Sequence, residues 1–217
     1  MTDTPRVNTV VYEISRFLWG LFFKHYTGYR VEGKENIPSK GPLIVVSNHV
    51  SNLDIFAVGY AFKPHVTYPG KREAFEDPRY GIYLRAMGGF PLDRDTIDMK
   101  AARIMLELMR EGRIVGVMPE GTRSLDGKIH RFKPGFVKLA ISTKTPILPI
   151  AIIGTDKVLP KWHWIPRRSP ITLYVGKTID LSEFHGKKMT EEERQEIADE
   201  IRRIIVELSG GALTLAE

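Results

Sequence analysis

Two short runs of uninterrupted apolar residues constrain this chain more than any other feature. Leu43-Ile44-Val45-Val46 and Ile114-Val115-Gly116-Val117-Met118 each sit between turn-forming residues. A strand with one wet face alternates apolar and polar side chains, whereas a run without alternation has to be covered on both faces. Cover on both faces calls for helices above and below a sheet. Each run also ends in a polar block: Ser47-Asn48-His49-Val50-Ser51-Asn52-Leu53-Asp54 after the first, and Pro119-Glu120-Gly121-Thr122-Arg123-Ser124 after the second.

The rest of the chain agrees. Strands are expected at residues 29–32, 65–68, 88–92, 146–153 and 171–175. Helices are expected from a Ser51 or Asn52 cap to about Phe62, over residues 75–87 after Pro78, from an Asp95 or Thr96 cap through Ile97, Ala101, Ile104, Met105 and Leu108, and over residues 136–143. A last helix opens on Thr190-Glu191-Glu192-Glu193, a capping box, and buries Ile197, Ile201, Ile204, Ile205 and Leu208 before Gly210-Gly211. Strands alternate with helices in 217 residues without repeat or linker. The reading is one α/β domain with a central mostly parallel or mixed sheet flanked by helices.

Residues 5–26 read as an amphipathic helix. Val7, Val10, Val11, Ile14, Phe17, Leu18, Leu21 and Phe22 follow helical spacing, Tyr12, Trp19, Phe23 and Tyr26 enlarge the apolar surface, and Arg6, Arg16 and Lys24 add cations. Periodicity leaves two readings open: a helix lying in a bilayer interface, or one packed on its own domain. No run reaches the ~18 apolar residues of a spanning helix, and the N-terminus does not read as a cleaved signal peptide.

The chain has no cysteine, which excludes disulfides, thiolate metal sites and a cysteine nucleophile. Its formal charge of +6 suits an anionic partner: a phosphate-bearing substrate, an acidic carrier protein, an anionic membrane or nucleic acid. No Walker loop or dinucleotide fingerprint is present, and no basic stripe with interleaved aromatics supports nucleic-acid binding.

In open α/β sheets, sites gather beyond the carboxyl ends of strands. On one continuous helix His49 and Asp54 would point about 140° apart. A strand-to-helix turn removes that constraint, so the carboxylate can fold back on one ring nitrogen and leave the other to take a proton. Ser47 and Ser51 are near, but the nucleophile-elbow pattern of a hydrolase is missing. At the second strand end, Arg123 suits bidentate phosphate binding, with Lys71, Arg72 and Arg94 as further cations at strand ends. Taken singly, each of these features also fits a capped helix or a solvated turn.

Together and in this order the segments resemble the glycerolipid acyltransferase superfamily, in particular its 1-acyl-sn-glycerol-3-phosphate (lysophosphatidate) acyltransferases. Ser47-Asn48-His49-Val50-Ser51-Asn52-Leu53-Asp54 matches the Asn-His-x-x-x-x-Asp block. Gly89-Phe90-Pro91-Leu92-Asp93-Arg94 is similar to the second block, Met118-Pro119-Glu120-Gly121-Thr122-Arg123-Ser124 to the third, and Thr145-Pro146-Ile147-Leu148-Pro149-Ile150 to the fourth. Met118 stands where the family usually has Phe, and Phe90-Pro91 where it has a more aliphatic pair.

The resemblance implies that His49, oriented by Asp54, deprotonates a hydroxyl of lysophosphatidic acid, which attacks an acyl thioester of coenzyme A or acyl carrier protein to give phosphatidic acid. It implies that Arg94, Arg123 and Lys71 hold the acceptor phosphate, that Glu120, Gly121 and Thr122 shape its pocket, and that block four and nearby helices line an acyl slot. Backbone N–H groups of the block-three turn are expected to stabilise the oxyanion. No metal or redox cofactor and no nucleic acid is implied. Residues 1–28 become a membrane-associating helix and 29–217 the acyltransferase domain, at the cytoplasmic face of a membrane. Lys161-Trp162-His163-Trp164-Ile165-Pro166-Arg167-Arg168 is a second candidate membrane contact, or else a loop with buried tryptophans. Alternatives are an acyltransferase for glycerol 3-phosphate or another lysolipid, and a non-catalytic lipid-binding protein.

Overall fold

The computed structural model describes residues 4–93 and 98–216. Arg94, Asp95, Thr96 and Ile97, from the expected phosphate site and helix cap, lie outside them.

The first apolar run is strand β2 (Leu43–Ser47), buried at every position, and it is central to the sheet. Together with β1 (Arg30–Glu32), β3 (Val66–Thr67), β6 (Ile114–Val117), β7 (Ile147–Ile153) and β8 (Thr172–Val175), it forms a six-stranded sheet in the order β1-β8-β7-β2-β6-β3. All pairings are parallel except β7 with β8. Strands β4 (Pro69–Lys71) and β5 (Phe90–Leu92) make a separate parallel pair. The short β4 was not expected from sequence.

Alternation along β2 explains its continuous hydrophobicity. Ile44 and Val46 join one core, built with α5 (Met99–Arg110), α6 (Gly135–Thr143) and α8 (Glu191–Leu208). Leu43 and Val45 join the other, with α1 (Thr9–Tyr26) and α2 (Asp54–Ala61). The α8 capping box forms as expected, Thr190 Oγ1 accepting from Glu193 N at 3.2 Å and Glu193 Oε2 from Thr190 N at 2.7 Å. Helix α5 starts at Met99, with Asp98 rather than the expected residues as its cap. Residues 75–87 are not one helix: α3 (Arg72–Glu76) and α4 (Tyr80–Ala86) flank Asp77 and Pro78, because proline disfavours helical backbone in the residue before it.

Helix α1 divides the apolar surface read from its sequence into two opposed faces. Tyr12, Ser15, Gly20 and Phe23 are buried, with Trp19 stacked on Phe56 of α2 at a ring separation of 4.4 Å. Gly20 permits the close approach, since a Cβ there would stand 2.5 Å from the Tyr60 ring. Val10, Ile14, Phe17, Leu18 and Leu21 point away, exposed by 42–68%. At 100° per residue the two sets lie on opposite sides of the helix.

Strands β6 and β7 flank β2, so the chain between them crosses the end of β2. The residues following β6 are thereby brought beside His49.

Candidate active site

The backbone leaves β2 and turns before α2 begins, with Leu53 at the cap position. Neither Ser51 nor Asn52 is the cap. Ser51 Oγ instead accepts from Leu53 N at 3.2 Å and donates to the Leu159 carbonyl at 2.8 Å, which leaves it no catalytic freedom. Asp54, in the first turn, folds back over the bend. Its Oδ2 accepts from the backbone N–H groups of Val50 (2.8 Å) and Ser51 (2.9 Å) and lies 2.8 Å from His49 Nδ1. Its Oδ1 accepts from Thr155 Oγ1 at 2.5 Å. A carboxylate ringed by donors can only accept, so Nδ1 carries the proton and Nε2 has a free lone pair. Asp54 is fully buried, while the His49 side chain keeps 12% exposure.

Thr155, on the short helix α7 (Thr155–Val158), escaped the sequence reading. It lies 101 residues from Asp54, and nothing local distinguishes it from other threonines. Asn48 is likewise structural: its side-chain amide exchanges two hydrogen bonds with the backbone of Ile152, at 2.8 and 2.9 Å, and ties β2 to β7.

The third block clamps the first. Glu120 Oε1 accepts from His49 N (2.8 Å) and Oε2 from His130 N (2.9 Å). Burial raises its carboxyl above the ordinary range, and the two N–H groups partly offset this. Ser124 N donates to the His49 carbonyl at 2.8 Å, so the histidine backbone is held at both its N–H and its C=O. Glu120 and Thr122 do not line the adjoining cavity; Glu120 is spent on positioning and Thr122 is exposed. Gly121 does line it, at a φ of +73° that a side chain would strain. Two backbone N–H groups of this turn are already engaged, Gly121 N with the Met118 carbonyl and Ser124 N with His49, which narrows the expected set of oxyanion donors.

That cavity, of about 370 Å³, is lined by His49, Gly121, Arg123 and Lys71 together. Arg123 is partly buried. Burial lowers its pKa, opposed by the negative charge of Asp54; the guanidinium remains the charged group that a phosphate needs. Lys71 is exposed and pairs with Glu73 at 3.0 Å. The walls are mostly apolar and come from α1, α2, α3, α4, β3, β4, β5 and β6 with Tyr68 between β3 and β4, including Phe56, Tyr60, Phe75 and Val117, while Arg16 of α1 adds a further cation. Block four does not contribute. Ile147 to Ile150 of that block are buried in β7, where both faces serve the sheet cores, and none of its residues lines the cavity.

An acid–base couple without its own nucleophile, next to a cation and an apolar cavity, is chemistry for moving an acyl group onto a substrate hydroxyl. The family model for acyltransferases matches residues 28–153, which contain His49, Asp54, Lys71, Glu120, Gly121 and Arg123 but neither Thr155 nor the α1 wall of the cavity. The chain belongs to the acyltransferase family. It is similar to the 1-acyl-sn-glycerol-3-phosphate acyltransferase of Borreliella burgdorferi, 32% identical over 80% of this chain and 72% of that one. It is similar to the enzyme so named from Bacillus subtilis, 30% identical over 72% of this chain and 76% of that one. The crystal structure of the 1-acyl-sn-glycerophosphate (LPA) acyltransferase of Thermotoga maritima superposes with a TM-score of 0.70 at 29% identity, over 92% of this chain and 78% of that one. This acyltransferase thus has the mixed α/β architecture of that structure, and its N-terminal helix is part of the fold.

Proposed function

We propose that this acyltransferase moves a fatty acyl group from a thioester of coenzyme A or acyl carrier protein to the free hydroxyl of lysophosphatidic acid, yielding phosphatidic acid for phospholipid synthesis. The observation that carries the reading is the His49–Asp54 couple, with Nε2 unengaged among the described residues, on a cavity that Arg123 and Lys71 also line. The similarity to enzymes named 1-acyl-sn-glycerol-3-phosphate acyltransferases supports the acceptor.

In the proposed reaction Arg123, with Lys71 and Arg94, holds the acceptor phosphate, and Gly121 lets the turn approach it. Nε2 of His49 takes the hydroxyl proton as the oxygen attacks the thioester carbonyl carbon. The tetrahedral intermediate collapses, the C–S bond breaks, and the imidazolium returns the proton to the leaving thiolate. Asp54 stabilises the imidazolium, and Glu120 and Thr155 hold the pair in place. Wild-type protein supplied with lysophosphatidic acid and either acyl-coenzyme A or acyl carrier protein thioester tests this. Phosphatidic acid from one donor supports the reading and names the donor; product from neither contradicts it.

We further propose that the enzyme works at a membrane surface, on its cytoplasmic face. No helix among the described residues is long and apolar enough to cross a membrane. The outer face of α1 is an aliphatic and aromatic strip with no cover among the described residues. Next to it Trp162, Trp164 and Ile165 are exposed by 76%, 95% and 80%, the opposite of a loop with buried tryptophans. That loop packs on the end of α1: Tyr26 Oη donates to the Pro166 carbonyl at 2.9 Å and Arg168 lies over the Tyr26 ring. Large aromatics beside cations favour the headgroup zone. Trp162→Ala/Trp164→Ala is expected to reduce co-flotation with anionic liposomes severalfold without lowering the melting temperature. Unchanged flotation would remove this loop from the membrane contact.

A further inference from the structure

Glu120 holds the His49 backbone with one carboxylate oxygen, and its other oxygen leads to the far side of the domain. Oε2 accepts from His130 N at 2.9 Å. The peptide that carries this N–H also carries the Ile129 carbonyl. A peptide unit is planar, so fixing its C=O fixes its N–H. The Ile129 carbonyl accepts from Arg202 of α8, from Nε at 3.1 Å and from Nη2, and from Ala216 N at 3.0 Å. Arg202 Nη2 also donates to the Ala216 carbonyl at 2.8 Å, and Ile129 N to the Thr214 carbonyl at 2.8 Å. Leu215 thus pairs with Ile129 in a parallel bridge, and the guanidinium ties the two segments together.

Between β6 and α6 the chain forms no helix or strand of its own. Its shape, and with it the place of Glu120, depends on anchors supplied from elsewhere. No residue of α8 lines the cavity, yet Arg202, half-buried, aims its charge at two backbone carbonyls. A cation on a carbonyl polarises the peptide and strengthens its N–H as a donor. Burial works against the charge on Glu120, so the carboxylate depends on the N–H groups that face it.

We propose that Arg202 is a positioning residue for the general base: with residues 213–216 it orients the Ile129–His130 peptide, which holds Glu120, which holds the His49 backbone. This rests on reading His49 as the base, and a measurement made without substrate keeps the two apart.

The chain has six histidines. Selective isotope labelling of histidine backbone nitrogens therefore makes both amides held by Glu120, those of His49 and His130, visible by NMR. Arg202→Gln keeps a neutral N–H donor and removes the charged fork. In the folded variant both amides are expected to exchange with solvent roughly three- to tenfold faster than in wild type, the net worth of one hydrogen bond. Arg203→Gln, at the exposed neighbouring position, is expected to change neither. Ala216→Pro removes the other donor to the Ile129 carbonyl, leaves Arg202 in place and is expected to act in the same direction; should Arg202→Gln not fold, it makes the same comparison. In turnover, Arg202→Gln is expected to lower kcat about three- to tenfold with acceptor KM within about twofold. In a Glu120→Gln background it should change kcat by less than about twofold, because an amide has one acceptor and cannot serve both N–H groups whichever way it turns. Unchanged exchange at His49, or equal losses of kcat in both backgrounds, overturns the proposal: the guanidinium then secures the loop alone. If both amides exchange faster while wild type yields no product from either thioester, the link from Arg202 to His49 stands and the acyl-transfer reading fails.

Discussion

Asp54→Asn is expected to lower kcat about a hundred- to ten-thousandfold, the usual worth of positioned acid–base catalysis, with little change in acceptor KM. The geometry says how it fails. Three donors converge on Oδ2, whereas among the described residues Oδ1 meets only the Thr155 hydroxyl. An asparagine can keep its carbonyl oxygen toward His49, Val50 and Ser51 and turn its NH₂ toward Thr155, whose hydroxyl oxygen can accept. The tautomer of His49 then survives, and what disappears is the negative charge that stabilises the imidazolium. Thr155→Val alone removes one charge-assisted bond and is expected to slow turnover roughly tenfold. In the Asp54→Asn background valine also removes the acceptor that orients the amide. The double variant should therefore lose more than the product of the two single losses. Steady-state kinetics on the four proteins reads this, and simple multiplication of the losses would show that Thr155 does not orient residue 54.

Arg123→Ala is expected to reduce kcat/KM for a phosphate-bearing acceptor about ten- to a hundredfold, the worth of a charge-assisted pair lost from a partly buried site. Arg123→Lys should recover only part of it, since a point charge does not reproduce the guanidinium fork. An acceptor without phosphate should be insensitive to either change once stability is matched. Equal losses on both acceptors would mean that Arg123 supports the fold around Asp54 rather than the substrate.

What the sequence disclosed and what it hid follow one physical rule. β2 and β6 were legible because burial on both faces leaves a continuous apolar run. The His49–Asp54 couple was legible because the partners are five residues apart across one turn. Thr155 was not, because its role arises from a contact with a residue 101 positions away that only the fold brings near. Glu120 was noticed for its block, yet its carboxylate serves two backbone N–H groups from segments that only the fold brings together. Helix α1 showed its apolar character in the sequence but not its division into a packed face and an exposed one. Helical periodicity identifies apolar positions; it does not say which of them the domain covers.

The most direct test of the account is acyl transfer to lysophosphatidic acid by wild type and His49→Ala, each with coenzyme A and acyl carrier protein thioesters, after their melting temperatures have been compared. Wild type is expected to give phosphatidic acid with at least one donor, and folded His49→Ala to be slower by at least about a hundredfold, the lower bound for loss of a general base. Full activity in folded His49→Ala would contradict the assignment of its Nε2 as the base and the mechanism built on it.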